Sequence, residues 1–373
     1  MKYLLTLLTT VTVVFGACNK SGDDNPSELF TKVYSTNNLE SEKYLIESGS
    51  DTIIKGNSGT ILRIYKNTFV DKNGQAVSGP VEIELKEALT PYDLIMGNLT
   101  TVSNGQWLQS GGMVYINATS NGQQLEIGKD KFIGAIILTD KVQSDMQVYE
   151  GIEDSTGFNW INPDNILNNE VLAMQEANKT DTLAKTGNGK QPSDIDAIFG
   201  FIRSDSSAAV GDPINDVKKD QKIMEGVFVE EFDKIKGQNY FNEDIQTTYI
   251  FSIKKLGWAN IDRLFNDPRT KEIDLITSVS NHKDFKLIYV TMIVGNMYLP
   301  GYQKADETFG FTHGDYEKTE LPIGEKATIL VTAYKDGVPY FAFKKIVITD
   351  KQTVALKLSE TTMDKLKATL QKI

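Results

Sequence analysis

The chain has one cysteine, two histidines and no surplus of basic charge. A lone cysteine excludes an intramolecular disulfide. No HExxH, Cys–His or Cys–Cys spacing is present, which excludes the common zinc arrangements, and no metal or cofactor is expected. The histidines lie in polar, loop-like contexts, Asn281-His282-Lys283-Asp284 and Thr312-His313-Gly314-Asp315, and read as exposed loop residues. No GxSxG elbow places a nucleophilic serine. A formal net charge of −11 over 373 residues argues against a nucleic-acid partner, which would want a basic surface, and against electrostatic attachment to anionic lipid. No apolar run beyond Ala17 approaches the roughly 20 residues that a helix needs to cross a bilayer. No repeat of solenoid or propeller length is found.

What is present begins with an address. Met1–Ala17 has the anatomy of a secretory signal: Lys2 supplies the positive start, Tyr3–Phe15 an apolar stretch, Gly16 and Ala17 the small residues that a peptidase needs. Phe15-Gly16-Ala17-Cys18 resembles the bacterial lipobox, with Phe15 where the usual residue is Leu. The resemblance implies cleavage before Cys18 and lipid attachment on it. Each buried CH₂ of such a lipid is worth about 0.8 kcal/mol of membrane affinity. Asn19-Lys20-Ser21-Gly22-Asp23-Asp24-Asn25 is similar to the acidic export signal that follows the cysteine in surface lipoproteins of Bacteroidota-type bacteria. That resemblance implies an outer-membrane lipoprotein facing outward. On the residues alone, the same stretch reads as a solvated tether, and a periplasm-facing placement stays open.

The rest predicts a mainly β protein: two β-sandwich-like domains with a helical linker segment and a C-terminal helix. The expected division is a signal peptide over 1–17, a lipid-anchored flexible tether over 18–45, an N-terminal β-sandwich-like domain over 46–162, a linker over 163–193, and a C-terminal mainly β domain with helices over 194–373. In Val81-Glu82-Ile83-Glu84-Leu85 the apolar residues alternate inward and the glutamates outward. Phe132–Leu138 is nearly continuous in apolar residues, as a strand buried on both faces would be. Asn121-Gly122 and Asp336-Gly337 are hairpin turns. Pro163–Ala177 and Asp216–Ile235 have helical spacing in part, and Thr361–Ile373 has one apolar face, Met363, Leu366, Leu370 and Ile373.

Chemistry is harder to find. Asp71-Lys72-Asn73-Gly74 begins like a calcium loop but lacks the later ligands, and reads as a turn. Gly56-Asn57-Ser58-Gly59 is glycine-rich without the lysine and helix of a phosphate loop. One block stands out: Leu256-Gly257-Trp258-Ala259-Asn260-Ile261-Asp262-Arg263-Leu264. It resembles a Gly-Trp-x-Asn-x-Asp-Arg segment of surface lipoproteins of the same bacteria, a resemblance that implies no activity. Two readings compete for it. In one, Trp258 closes a core while Asp262 and Arg263 pair. In the other, Trp258 is an aromatic platform for a sugar ring, flanked by Asn260, Asp262 and Arg263. Trp107 and Trp160 are equally eligible as platforms. Thr52, Ser155 and Thr182, each following an aspartate, match an Asp-Ser/Thr-apolar pattern of O-glycosylation in these bacteria.

The expected function is non-catalytic: a cell-envelope lipoprotein, held to the membrane through its N-terminal lipid, whose β domains bind a glycan or an envelope protein. A carboxylate-dependent hydrolase acting on glycans or peptides and a structural subunit of an envelope assembly are the alternatives. A glycosidase would need two carboxylates roughly 5–10 Å apart across a cleft.

Overall fold

A computed structural model describes residues 26–139, 142–154, 157–166, 248–311 and 319–373. The protein is mainly β, with 55% of the described residues in strands and 10% in helices. Strands β1 (Glu42–Glu47), β2 (Thr52–Lys55), β3 (Ile61–Ile64), β4 (Pro80–Ala88), β5 (Gln106–Ser120), β6 (Ile133–Leu138), β7 (Gln147–Asp154), β8 (Gly157–Asn165), β9 (Thr248–Ile253) and β10 (Gly257–Leu264) build a first sandwich. One of its sheets runs β1-β4-β5-β10-β7-β8, and the other runs β9-β6-β3-β2. A second sandwich uses β11 (Thr270–Val279), β12 (Ile288–Val294), β13 (Met297–Pro300), β14 (Thr319–Pro322), β15 (Lys326–Lys335), β16 (Val338–Val347) and β17 (Lys351–Leu356). Its pairings are antiparallel except that β17 lies parallel to β11.

The pattern of β4 explains its place. Val81, Ile83 and Leu85 are fully buried in the first core, where they meet Leu62, Ile133, Ala135, Ile137 and Ile261. Burying three such side chains contributes on the order of 5–9 kcal/mol before entropy is counted. Glu82 and Glu84 face outward, Glu82 pairing with Lys43 at 2.9 Å. The hairpin turns form as their residues dictate. Asn121 and Gly122 have φ of 51° and 73°, and Asp336 and Gly337 have 53° and 76°, the left-handed pair that a tight two-residue turn requires.

Two expected boundaries are corrected. The tether expected over 18–45 is structured from Pro26: helix α1 (Pro26–Val33) docks on β15. Its Phe30 stacks on Tyr289 with ring centroids 3.4 Å apart, and Tyr34 and Leu39 are buried after it. Nor does sheet membership follow the expected split near 193. Strands β9 and β10, expected in the second domain, belong to the first sandwich, where β10 fills the place between β5 and β7. Of the expected helices, those over 163–177 and 216–235 lie outside the described residues, apart from the end of β8 and Ile166. The C-terminal one is present as α3 (Met363–Leu370), capped by the Thr362 side chain accepting from Lys365 N–H at 3.3 Å.

A third core lies between the sandwiches. It joins Met113, Tyr149, Phe158 and Trp160 of the first to Ile293, Tyr298, Leu330 and Tyr334 of the second. Helices α1, α2 (Pro91–Gly97) and α3 contribute Phe30, Leu94, Ile95, Leu366 and Leu370 to it. Among the described residues no helix is long and apolar enough to cross a membrane.

Candidate functional site

The block Trp258–Arg263 lies within β10, and its side chains part company. Trp258, Asn260 and Asp262 alternate onto one face. Trp258 is half-buried against Tyr115 and Phe158, ring centroids 5.5 and 6.1 Å away. It is packed there and is not an open platform. Asn260 and Asp262 are fully buried. Asn260 Nδ2 donates to Asp262 Oδ2 at 2.7 Å, and Ser110 Oγ donates to Asn260 Oδ1 at 3.1 Å. Asp262 Oδ1 has no hydrogen-bond partner. Burial raises this carboxyl to about 8, while the hydrogen bond from Asn260 pulls the other way.

The pairing of Asp262 with Arg263 is therefore corrected. Arg263, one residue on, turns to Gln109 across the ladder. Its Nε and Nη2 both donate to Gln109 Oε1, at 3.0 and 2.7 Å. Asp262 faces Ser110 instead because the ladder slips there: Ile261 pairs Gly112 and Asp262 pairs Ser110, so Gly111 is a bulge residue. A Cβ on Gly111 would stand 2.7 Å from both Met146 Cε and Tyr249 Cε2 and 3.1 Å from the Ile261 carbonyl oxygen, so only glycine fits. The bulge was not read from the sequence, although a glycine pair inside a strand, here Gly111-Gly112, is a feature that marks one.

Two cavities open around the bulge. The first, about 380 Å³, is lined by Gln109, Ser110, Thr139, Gln143, Tyr249 and Asn296, with Leu89 and Leu138 at its sides. The second, about 330 Å³, is lined by Gln109, Arg263, Asp267, Arg269, Met297 and Glu325. They share Gln109 and lie where the first sandwich meets the β12–β13 turn of the second. Asn296 Nδ2 closes the junction by donating to the Ser110 carbonyl at 3.1 Å. In the second cavity Arg269 is neutralised. It holds Asp267 through Nε and Nη2 at 3.0 and 2.7 Å, and Glu325 through Nη2 at 2.7 Å. Hydrogen bonds from Arg269 hold the Asp267 carboxyl below its usual range. These two acids are tied to one arginine.

The remaining candidates are dispersed. Trp107 is buried in the core of the second sandwich and is corrected from a ligand platform to a packing residue. Trp160 is fully buried too. Thr52 begins the edge strand β2, half-exposed, with its backbone paired to Ile64. Cys18, Ser155, Thr182 and His313 lie outside the described residues. His282 is braced: Nδ1 stands 2.9 Å from the Val279 carbonyl and Nε2 2.7 Å from Glu307. The Gly56–Gly59 loop spends its amides on internal carboxylates. Ser58 and Thr60 N–H donate to Glu87 at 2.6 and 2.8 Å, and Asn57 N–H to Glu42 at 3.1 Å. Among the described residues no three His, Cys, Asp or Glu side chains stand together as a metal site would require. Gln109, Ser110, Gln143 and Asn296 escaped the sequence reading, since isolated amides and hydroxyls carry no motif.

Compared with known proteins, the chain matches no family model and no curated protein sequence.

Proposed function

We propose that this chain is a lipid-anchored cell-envelope protein whose joined sandwiches bind a glycan, without catalysis, in the cleft at their junction. The observation that carries this reading is the lining of the first cavity. Gln109, Gln143 and Asn296 supply amides, and Thr139 and Tyr249 supply hydroxyls. Such groups both donate and accept, which suits the hydroxyls of a sugar. The second cavity's carboxylates are spent on Arg269, which fits recognition better than hydrolysis. A protein partner, the other occupant considered from the sequence, would want an apolar centre, and the accessible surface of the first cavity is mostly polar.

The test is retention of the full chain on an immobilised glycan array, wild type against the double variant Gln109→Ala, Asn296→Ala. A glycan held by the wild type should be held at least about tenfold more weakly by the variant, from the loss of two hydrogen bonds of about 1 kcal/mol each. Equal retention of both proteins would remove the cleft from the account. The anchor has its own measurement: protease shaving of intact cells with labelling of the lipid. Wild type should carry label and be shaved away, whereas Cys18→Ala should carry none and leave the membrane fraction. A labelled protein that survives shaving would face the periplasm.

A further inference from the structure

The cleft has a chemical bias at one residue. In a chain of net charge −11, Arg263 forms no hydrogen-bonded ion pair with a carboxylate among the described residues, although Asp267, itself held by Arg269, lies within its electrostatic reach. Its only hydrogen-bonded contact there is the neutral Gln109 Oε1. Arg269, in the same cavity, is the contrast, with its charge matched by Asp267 and Glu325. Gln109 grips the Nε side of the Arg263 guanidinium and fixes its plane. Among the described residues Nη1 makes no hydrogen bond, and a guanidinium edge of this kind suits a carboxylate. Arg263 lines the second cavity, and Gln109, which it grips, lines both.

We propose that the cleft takes an oligosaccharide bearing a carboxylate: Arg263 holds the carboxylate, and the amides of Gln109, Gln143 and Asn296 receive the sugar hydroxyls. This assignment rests on the glycan-binding reading above and specifies its ligand class. A peptide ending in a carboxylate shares the charge. It would also want free main-chain groups or apolar pockets along the groove, and the first cavity offers mostly amides and hydroxyls.

The experiment is calorimetric titration of the full chain in detergent with four probes: tri-galacturonate, its methyl ester, an uncharged galactose trimer, and a hexapeptide with a free C-terminus. Wild type should bind the acid at least about tenfold more tightly than its ester, with the difference shrinking as salt rises. Arg263→Gln should lose about tenfold to hundredfold in affinity for the acid and little for the ester, as expected for a charge-assisted hydrogen bond. Arg263→Lys should recover part of the difference, keeping the charge without the fork. Arg263 is half-exposed, so an unchanged urea midpoint for Arg263→Gln separates lost binding from lost folding. If acid and ester bind alike and Arg263→Gln changes neither, this assignment is overturned and the glycan reading stands. If no oligosaccharide binds, both fall. Preference for the peptide over every sugar would overturn the assignment in favour of a peptide site.

Discussion

Asp262→Asn is expected to stabilise the folded chain by a few kcal/mol at pH 7 and to change it little at pH 4. The carboxyl is fully buried, one of its oxygens has no partner, and its folded-state value stands at about 8. In the unfolded chain an aspartate titrates near 3.9. The folded state therefore binds the proton more tightly. Its contribution is fully present below about pH 4 and is lost as the pH rises from there to about 8, at no more than about 1.4 kcal/mol per unit. Structural relaxation and water entry bring the real loss below that limit. Asparagine keeps the shape and can still accept from Asn260 Nδ2, but it never ionises, so the slope goes with it. Urea unfolding of both proteins between pH 4.5 and 8.5 checks this: wild type should weaken steadily across the range relative to the variant. Parallel curves would mean that Asp262 ionises freely in the folded protein, and that the polar cluster at the bulge is wetter than its burial implies.

The second large effect belongs to Trp160. Its ring is fully buried in the core between the sandwiches, near-parallel to Phe158 at 5.9 Å. Its indole N–H donates to the Thr100 carbonyl at 2.6 Å, while its own carbonyl accepts from Ser103 Oγ at 2.6 Å. Trp160→Ala should cost about 3–5 kcal/mol through lost burial and the cavity left behind, with the Thr100 carbonyl orphaned in addition. Trp160→Phe keeps most of the apolar area and should cost less than half as much. The measurement is the denaturant midpoint at fixed pH with an unchanged m-value. A loss under 1 kcal/mol for the alanine variant would show that the two sandwiches are not held together through this core.

These residues also mark where sequence reasoning succeeds. Period-two alternation is local, so β4 could be read directly from Val81 to Leu85, and Asn121-Gly122 and Asp336-Gly337 were legible because only a few residue types tolerate their backbone angles. The apolar stripe of α3, Met363, Leu366 and Leu370, announced the last helix in the same way. Helix α1 was missed because Ser27, Glu28, Thr31 and Lys32 are the residues of a solvated tether, and the apolar residues that bury it number only a few. The fate of Trp107, Asp262 and Arg263 was not local at all. Trp107 starts in one sandwich and packs into the other, and a bulge at Gly111 decides which neighbour each polar residue meets. The cleft has no sequence signature because it is made of ordinary amides from β5 and the β12–β13 turn, brought together only when the two sandwiches meet.

The position of β10 sets an order of events during synthesis. Until residues 257–264 have emerged, the larger sheet of the first sandwich is two fragments, β1-β4-β5 and β7-β8, with no ladder between them. The partner sheet likewise ends at β6 until β9 arrives. A ribosome that had released the first 166 residues would hold a chain with unpaired strand edges and an open core, a state prone to mispairing and aggregation. Pairings of such long sequence separation close slowly. The half of the chain made first is thus the half that waits, its sheets completed only when the strands at 248–264 arrive.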